Sequence, residues 1–98
     1  MPTYYGVLEG SGTNWGVWFP DVPGCVGAGK SAAKAIESAR SALMLFDELD
    51  RTGGLVPPPA RSADELLSVA EVREAVNNGD RLVPFDMDQL QATVRLRA

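Results

Sequence analysis

The chain contains no histidine. That removes the commonest general base and the commonest zinc ligand together. Every histidine-dependent hydrolase or nuclease mechanism is closed to this chain acting alone. A single cysteine, Cys25, excludes an intrachain disulfide framework. No apolar run approaches the roughly 20 residues of a membrane-spanning helix. The opening MPTYYGVLEG lacks the basic-then-apolar order of a secretory signal. Basic charge is scarce as well: nine Lys and Arg stand against thirteen Asp and Glu, for a formal net charge of -4. Two of the nine, Arg95 and Arg97, fall in the last four positions, so residues 1–94 carry seven against thirteen, or -6. An acidic body repels phosphate backbones and favours basic partners. These absences predict a soluble cytoplasmic protein with no membrane contact.

What is present is ordinary for one small folded domain: 98 residues, 45% of them hydrophobic. Tyr4 to Glu9 reads as an aromatic and branched strand interrupted by Gly6. Gly10 to Asn14 is a turn cluster, and Trp15 to Phe19 a second strand, so the two form a hairpin. Alternation puts Trp15, Val17 and Phe19 on one face and Trp18 on the other. Pro20-Asp21-Val22-Pro23-Gly24 cannot continue a central strand and reads as a corner, with Asp21 as an Asx-type turn residue. Cys25 to Gly29 is a short third strand. Ser31 is the N-cap of a long helix whose inward face runs Ala35, Ile36, Ala39, Leu43, Phe46 and Leu49 or Asp50. Its outward face carries Lys34, Glu37, Arg40, Ser41, Asp47, Glu48 and Arg51. Gly53-Gly54 ends it.

Leu55 to Ala60 is a stiff proline connector. Ser62 and Glu65 form a capping box for a second helix through Leu66, Leu67, Val69, Ala70, Val72 and Ala75. Asn77 to Asp80 stops it, and Arg81 to Asp86 is a last strand that Pro84 places at a sheet edge. Residues 92–97 alternate apolar and basic, as a strand or a partner-ordered arm would. The order β-β-β-α-(α)-β predicts an α+β fold, with a small, mostly antiparallel sheet covered by the long helix. The domain spans residues 1–90, and 91–98 form a tail.

Gly24 to Ser31, GCVGAGKS, matches G-x-x-x-x-G-K-[ST] at every position. Such a loop would cradle phosphates with backbone N–H groups, with Lys30 on the phosphates and Ser31 on magnesium. The context opposes it. Prolines precede the motif where a buried parallel strand is required, and the chain holds only one long crossover. Cys25, inside an apolar run and without a histidine base, reads as a small core residue. Glu9, Asp21 and Glu37 are metal-binding candidates only if the fold brings them together. The residue pattern therefore favours a non-enzymatic binding module, with no catalytic, cofactor or metal site. A nucleotide hydrolase using Lys30, or a metal-dependent nuclease, is the alternative.

Tyr4-Tyr5 in a first strand, then Trp15 to Val26 with Phe19-Pro20-Asp21-Val22-Pro23-Gly24-Cys25 at its centre, then a small-residue run, a cap and an alanine-rich helix, resemble the HicB antitoxin family. Val22 stands where the family usually has leucine, and Ala33-Lys34 where it often has two acids. The resemblance implies a partial ribonuclease-H-like fold, three antiparallel strands with a fourth added parallel to the first, and no intact catalytic carboxylate set. It further implies an antitoxin that binds and occludes a small basic HicA-like ribonuclease toxin, and a homo-oligomer, dimer or tetramer. A scaffold of the same fold without a toxin is the remaining reading. Family members often add a C-terminal DNA-binding module. Residues 94–97 stand where its first strand would begin, and no helices follow, so these 98 residues are not expected to bind DNA. The candidate partner contacts are Tyr5, Trp18, Glu37, Asp47 and Glu48.

Overall fold

The computed structural model describes residues 3–90. Four strands, β1 (Thr3–Ser11), β2 (Asn14–Trp18), β3 (Val26–Gly29) and β4 (Arg81–Asp86), form one sheet in the order β3-β2-β1-β4. The helices are α1 (Ala32–Thr52), α2 (Ala63–Leu67) and α3 (Ala70–Asn77). Every neighbouring pair of strands is antiparallel. The fourth strand is thus antiparallel to the first, which corrects the parallel pairing that the family resemblance implied. The reason is topological. The long helix α1 carries the chain back along the sheet once, and the connector with α2 and α3 carries it back again. A double return delivers β4 in the direction opposite to β1.

The hairpin loop is shorter than the turn cluster suggests. Ser11 pairs with Asn14, leaving only Gly12 and Thr13 between the strands. Gly12 takes a φ of 56° at the first central position, a backbone conformation that a side chain disfavours. Pairing Val7 with Trp18 and Leu8 with Val17 sets the side-chain alternation. Tyr4, Leu8, Val17, Phe19 and Phe85 then share a core with Ala35, Ala39 and Leu43 of α1. Phe19 and Phe85 meet edge to face, with ring centroids 5.0 Å apart.

The opposite face is not bare, as a sheet under one helix would leave it. Val7 packs there with Leu66 and Val72, flanked by Tyr5, Trp18, Val69, Ala75, Val76 and Leu82. The fold is therefore three-layered, with α1 on one face and α2–α3 on the other. The helix expected after Ser62 is in fact two. Its capping box is formed as expected, but Ser68 Oγ donates to the Glu65 carbonyl at 2.6 Å. That bond closes α2 one turn later, and Val69 is extended before α3 begins. Of the expected inward face of α1, Leu49 is turned out and 59% exposed. The helix ends in Gly53-Gly54 as expected. Gly54 has a φ of 76°, and Leu55 N–H donates back to the Asp50 carbonyl at 2.8 Å, which closes a Schellman cap.

β4 lies at a sheet edge, where Pro84 removes one N–H from the outer rim. After it, Asp86 Oδ1 accepts from Asp88 N–H at 2.9 Å and caps a helical turn over 87–90. The alternating stretch expected over 92–97 lies outside the described residues. Among the described residues, no helix is long and apolar enough to cross a membrane.

Candidate partner-binding surface

The corner after β2 is two successive tight turns. Val22 N–H donates to the Phe19 carbonyl at 3.2 Å, and Cys25 N–H to the Val22 carbonyl at 3.1 Å. Pro20 and Pro23 each occupy the second position of a turn, and Gly24 follows Pro23 with a φ of 86°. Proline presets that second position, and glycine accepts the positive φ after it. Phe19, Val22 and Cys25 point inward, none more than 5% exposed. Burial pushes the Cys25 thiol up to about 11, so the sulfur is an inert packing atom.

Asp21 is not the local turn residue expected. Its carboxylate accepts from the Arg61 backbone N–H at 2.7 Å and from Arg61 Nε at 2.6 Å, across 40 residues of sequence. The Asp21 side chain is 6% exposed. Tyr4 Oη donates to the Pro58 carbonyl on the same connector. Burial, with Asp47, Asp21 and Asp50 nearby, raises the Tyr4 phenol above its ordinary value and keeps it a donor. The corner and the first strand thus hold the proline connector at two points. That anchorage fixes where α2 and α3 lie on the sheet.

The glycine-lysine-serine motif is consumed by the fold. Val26–Gly29 is strand β3, paired antiparallel to β2. Ala28 N–H on its outer rim donates to Ser38 Oγ of α1 at 3.2 Å. Ser31 Oγ accepts from Lys34 N–H at 3.1 Å and so caps α1. Gly27 and Gly29 are there because α1 lies against them. A Cβ on Gly27 would stand 2.3 Å from Ala39 N, and one on Gly29 2.7 Å from Ala35 N. The structure does not unite Glu9, Asp21 and Glu37, and among the described residues no three metal-ligating side chains cluster.

The five candidate contact residues fall on opposite sides of the sheet. Tyr5 and Trp18 lie half-buried on the α2–α3 side. Glu37 and Glu48 lie exposed on the outer face of α1. Asp47 belongs to neither group. Its side chain is 10% exposed and pairs with Arg51 Nε at 2.9 Å, so it does not stand on the solvated helix face expected for it.

Around Trp18 the sheet is incompletely covered. Two adjoining hollows of about 330 and 570 Å³ share Trp18 and Glu71. One is walled by the proline corner, Val26 and Val72. The other is rimmed by Glu9, Glu71, Glu74 and Asp80. Val26, register partner of Trp18, is 61% exposed. None of the four rim carboxylates takes part in an ion pair among the described residues. An apolar floor with an aromatic edge and an unpaired acidic rim suits a basic protein surface. Glu71, Glu74 and Asp80 escaped sequence reasoning because they reach Trp18 only through the placement of α3.

The family model described as "HicB_like antitoxin of bacterial toxin-antitoxin system" matches residues 4–96. Among solved structures, the chain is similar to the N-terminal domain of the Burkholderia pseudomallei antitoxin HicB. The two share 22% identity with a TM-score of 0.72, over 88% of this chain and 98% of that one. It is also similar to a chain of a HicA3 and HicB3 toxin–antitoxin complex, at 21% identity and a TM-score of 0.66, over 87% and 96% of the two chains. Against the longer B. pseudomallei HicB chain the match has 22% identity and a TM-score of 0.72, covering 89% of this chain and 64% of that one. No curated protein matches the chain.

Proposed function

The chain belongs to the HicB-like antitoxin family of bacterial toxin–antitoxin systems, and from that membership we propose that it neutralises a small basic HicA-like ribonuclease toxin by covering the toxin's working surface. The family match over residues 4–96 carries this reading. The HicA3 and HicB3 complex, whose antitoxin fold resembles this one, supports the choice of partner. The chemistry agrees with it. An acidic protein without histidine, whose lone thiol is buried and raised, offers surface and charge to a partner and no reactive group. Its role is non-enzymatic.

The contact surface in this reading is the hollow around Trp18, with Tyr5 packed beneath the same layer and Glu9, Glu71, Glu74 and Asp80 at its rim. Rim carboxylates speed encounter with a cationic partner, and half-buried Trp18 supplies affinity at the centre. The protein acts in the cytoplasm as a homo-oligomer.

Titration of the purified chain with a HicA-like toxin tests this. Binding should be tight and salt-sensitive, and co-expression should rescue growth. Trp18→Ala, or Glu71→Lys with Glu74→Lys, should weaken binding at least tenfold while circular dichroism stays unchanged. Absence of binding and of rescue would refute the antitoxin reading. Binding that ignores these substitutions would refute only the surface.

A further inference from the structure

Strand β3 lies at the edge of the sheet beside Trp18, with an outer rim that the fold leaves partly open. Alternation fixes which groups stand on that rim. Ala28 N–H points outward, because it donates to Ser38 Oγ of α1 and not to β2. Val26, two residues earlier, turns its N–H and carbonyl the same way, and the Ala28 carbonyl joins them. Among the described residues, none of these three groups has a hydrogen-bond partner. The side chains alternate too. Gly27 and Gly29 face α1, so Val26 and Ala28 face the opposite side, where both are exposed. The helix layer there stops short of them. Its apolar cluster takes Val7, Trp18 and Leu82 from β1, β2 and β4, and no residue from β3. The other edge of the sheet is built differently. In β4, Pro84 lacks a donor and Arg81 and Asp86 supply charge, which are common protections against an added strand. β3, Val-Gly-Ala-Gly, has neither proline nor charge.

We propose that the basic partner lays an edge strand of its own along β3, bonded to the Val26 N–H and to the Val26 and Ala28 carbonyls, so that the sheet continues from antitoxin into toxin. The proposal rests on the antitoxin reading above and names how the partner meets the Trp18 surface. Neighbouring strands lie about 4.8 Å apart. The added strand therefore sits one spacing beyond Val26 and two beyond Trp18, the register partner of Val26 in β2. Its side chains on that face enter the hollow of about 330 Å³ lined by Val26, Trp18, Glu71 and Val72. Arginine fits this hollow. Its stem is long enough to cross Val26, its planar head suits the indole face, and its charge meets the Glu71 carboxylate. At the far end of β3, exposed Lys30 opposes a strand that is basic throughout. The occupant is therefore a strand with arginine opposite Val26 and no cation beyond Ala28. β3 offers three open rim groups, so the backbone bonds position the strand and the Trp18 hollow supplies most of the affinity.

Amide hydrogen exchange of the chain, alone and saturated with a HicA-like toxin, tests this residue by residue. The Val26 N–H should exchange freely in the chain alone and at least a hundredfold more slowly in the complex. Val26→Pro removes that donor at an outward position, where the pairing of β2 with β3 does not need it. It should weaken toxin binding at least tenfold. Val26→Ala keeps the donor and should weaken binding less than Val26→Pro does. If Val26→Pro fails to fold, exchange of the wild-type amide decides alone. Toxin binding that leaves Val26 exchange unchanged would overturn the strand addition and leave the Trp18 surface standing. Protection of Val26 that grows with the concentration of the chain alone would give the edge to a second copy and overturn the toxin as its occupant. Absence of toxin binding would overturn the antitoxin reading, and this proposal with it.

Discussion

Removing the Asp21 carboxylate should loosen the connector that places α2 and α3. The Asp21 side chain accepts two charge-assisted bonds from Arg61, at 2.7 Å from the backbone N–H and 2.6 Å from Nε. Bonds of this kind contribute about 1.5–3 kcal/mol each. The two are unequal after truncation. The Arg61 side chain is 41% exposed, so its guanidinium regains water and most of that contribution is returned. The backbone N–H is part-buried and is left without its acceptor, which costs about 1–3 kcal/mol. Asp21→Ala should therefore destabilise the domain by about 2–3 kcal/mol. For a chain this size that lowers Tm by about 10–20 °C. Asp21→Asn keeps an acceptor for the backbone N–H and should lose about half as much. Thermal unfolding by circular dichroism measures both. Hydrogen exchange should show added opening in α2 and α3 before α1. A Tm for Asp21→Ala within about 2 °C of wild type would refute the clamp, as would equal losses for the two variants.

Gly27→Ala should destabilise by more than about 3 kcal/mol or prevent folding, because its Cβ would lie 2.3 Å from Ala39 N. Lys30→Ala, at an exposed position, should leave chemical denaturation within about 0.5 kcal/mol of wild type. Cys25 gives a pH signature, since the folded thiol is raised from 9.0 to about 11. Between those values the unfolded chain has lost this proton and the folded chain holds it. Stability should thus be fully present below pH 9 and fall by up to about 1.4 kcal/mol per pH unit toward pH 11. Cys25→Ala should flatten that slope in urea titrations, and an unchanged slope would contradict the burial argument. On the same grounds a thiol reagent at pH 8 should label Cys25 only at the rate of local opening.

The local chemistry of this fold was legible in the sequence. The Ser31 cap, the Ser62–Glu65 box, the double-glycine stop and the Pro84 edge each depend on residues within a few positions of one another, and each formed as expected. The alternation in β2 also held, because a buried face fixes the register. What escaped reading was carried by contacts distant in sequence. Asp21 looked local because its turn needs nothing further, yet its partner lies 40 residues on. The split of the second helix turns on one hydroxyl, Ser68, which can cap or point outward with equal ease in a sequence. The direction of β4 depended on how many times the chain traverses the sheet. That count required knowing that the proline connector is anchored by Tyr4 and Asp21 at the end of the sheet where α1 finishes. The candidate surface followed the same rule. Trp18 was found by its residue type, while its rim of Glu71, Glu74 and Asp80 became visible only with α3 in place.

The stretch from Gly24 to Ser31 shows why spacing alone misleads. A phosphate loop needs glycine so that backbone N–H groups can curl around an anion. This fold needs glycine at two of the same places so that a helix can lie close against an edge strand. Gly27 and Gly29 sit under Ala39 and Ala35, and the alternation of strand β3 presents both to α1. Both designs then require a helix to begin at once, so both select a small hydroxyl residue at its start. In one it would hold a metal. Here Ser31 already accepts the Lys34 N–H. The two designs part at the strand hydrogen bonds, since a loop free to cradle phosphate cannot also be paired with β2. That pairing, with the Ala28 N–H given to Ser38 Oγ, holds Val26–Gly29 extended, so the motif does not curl its backbone donors around an anion.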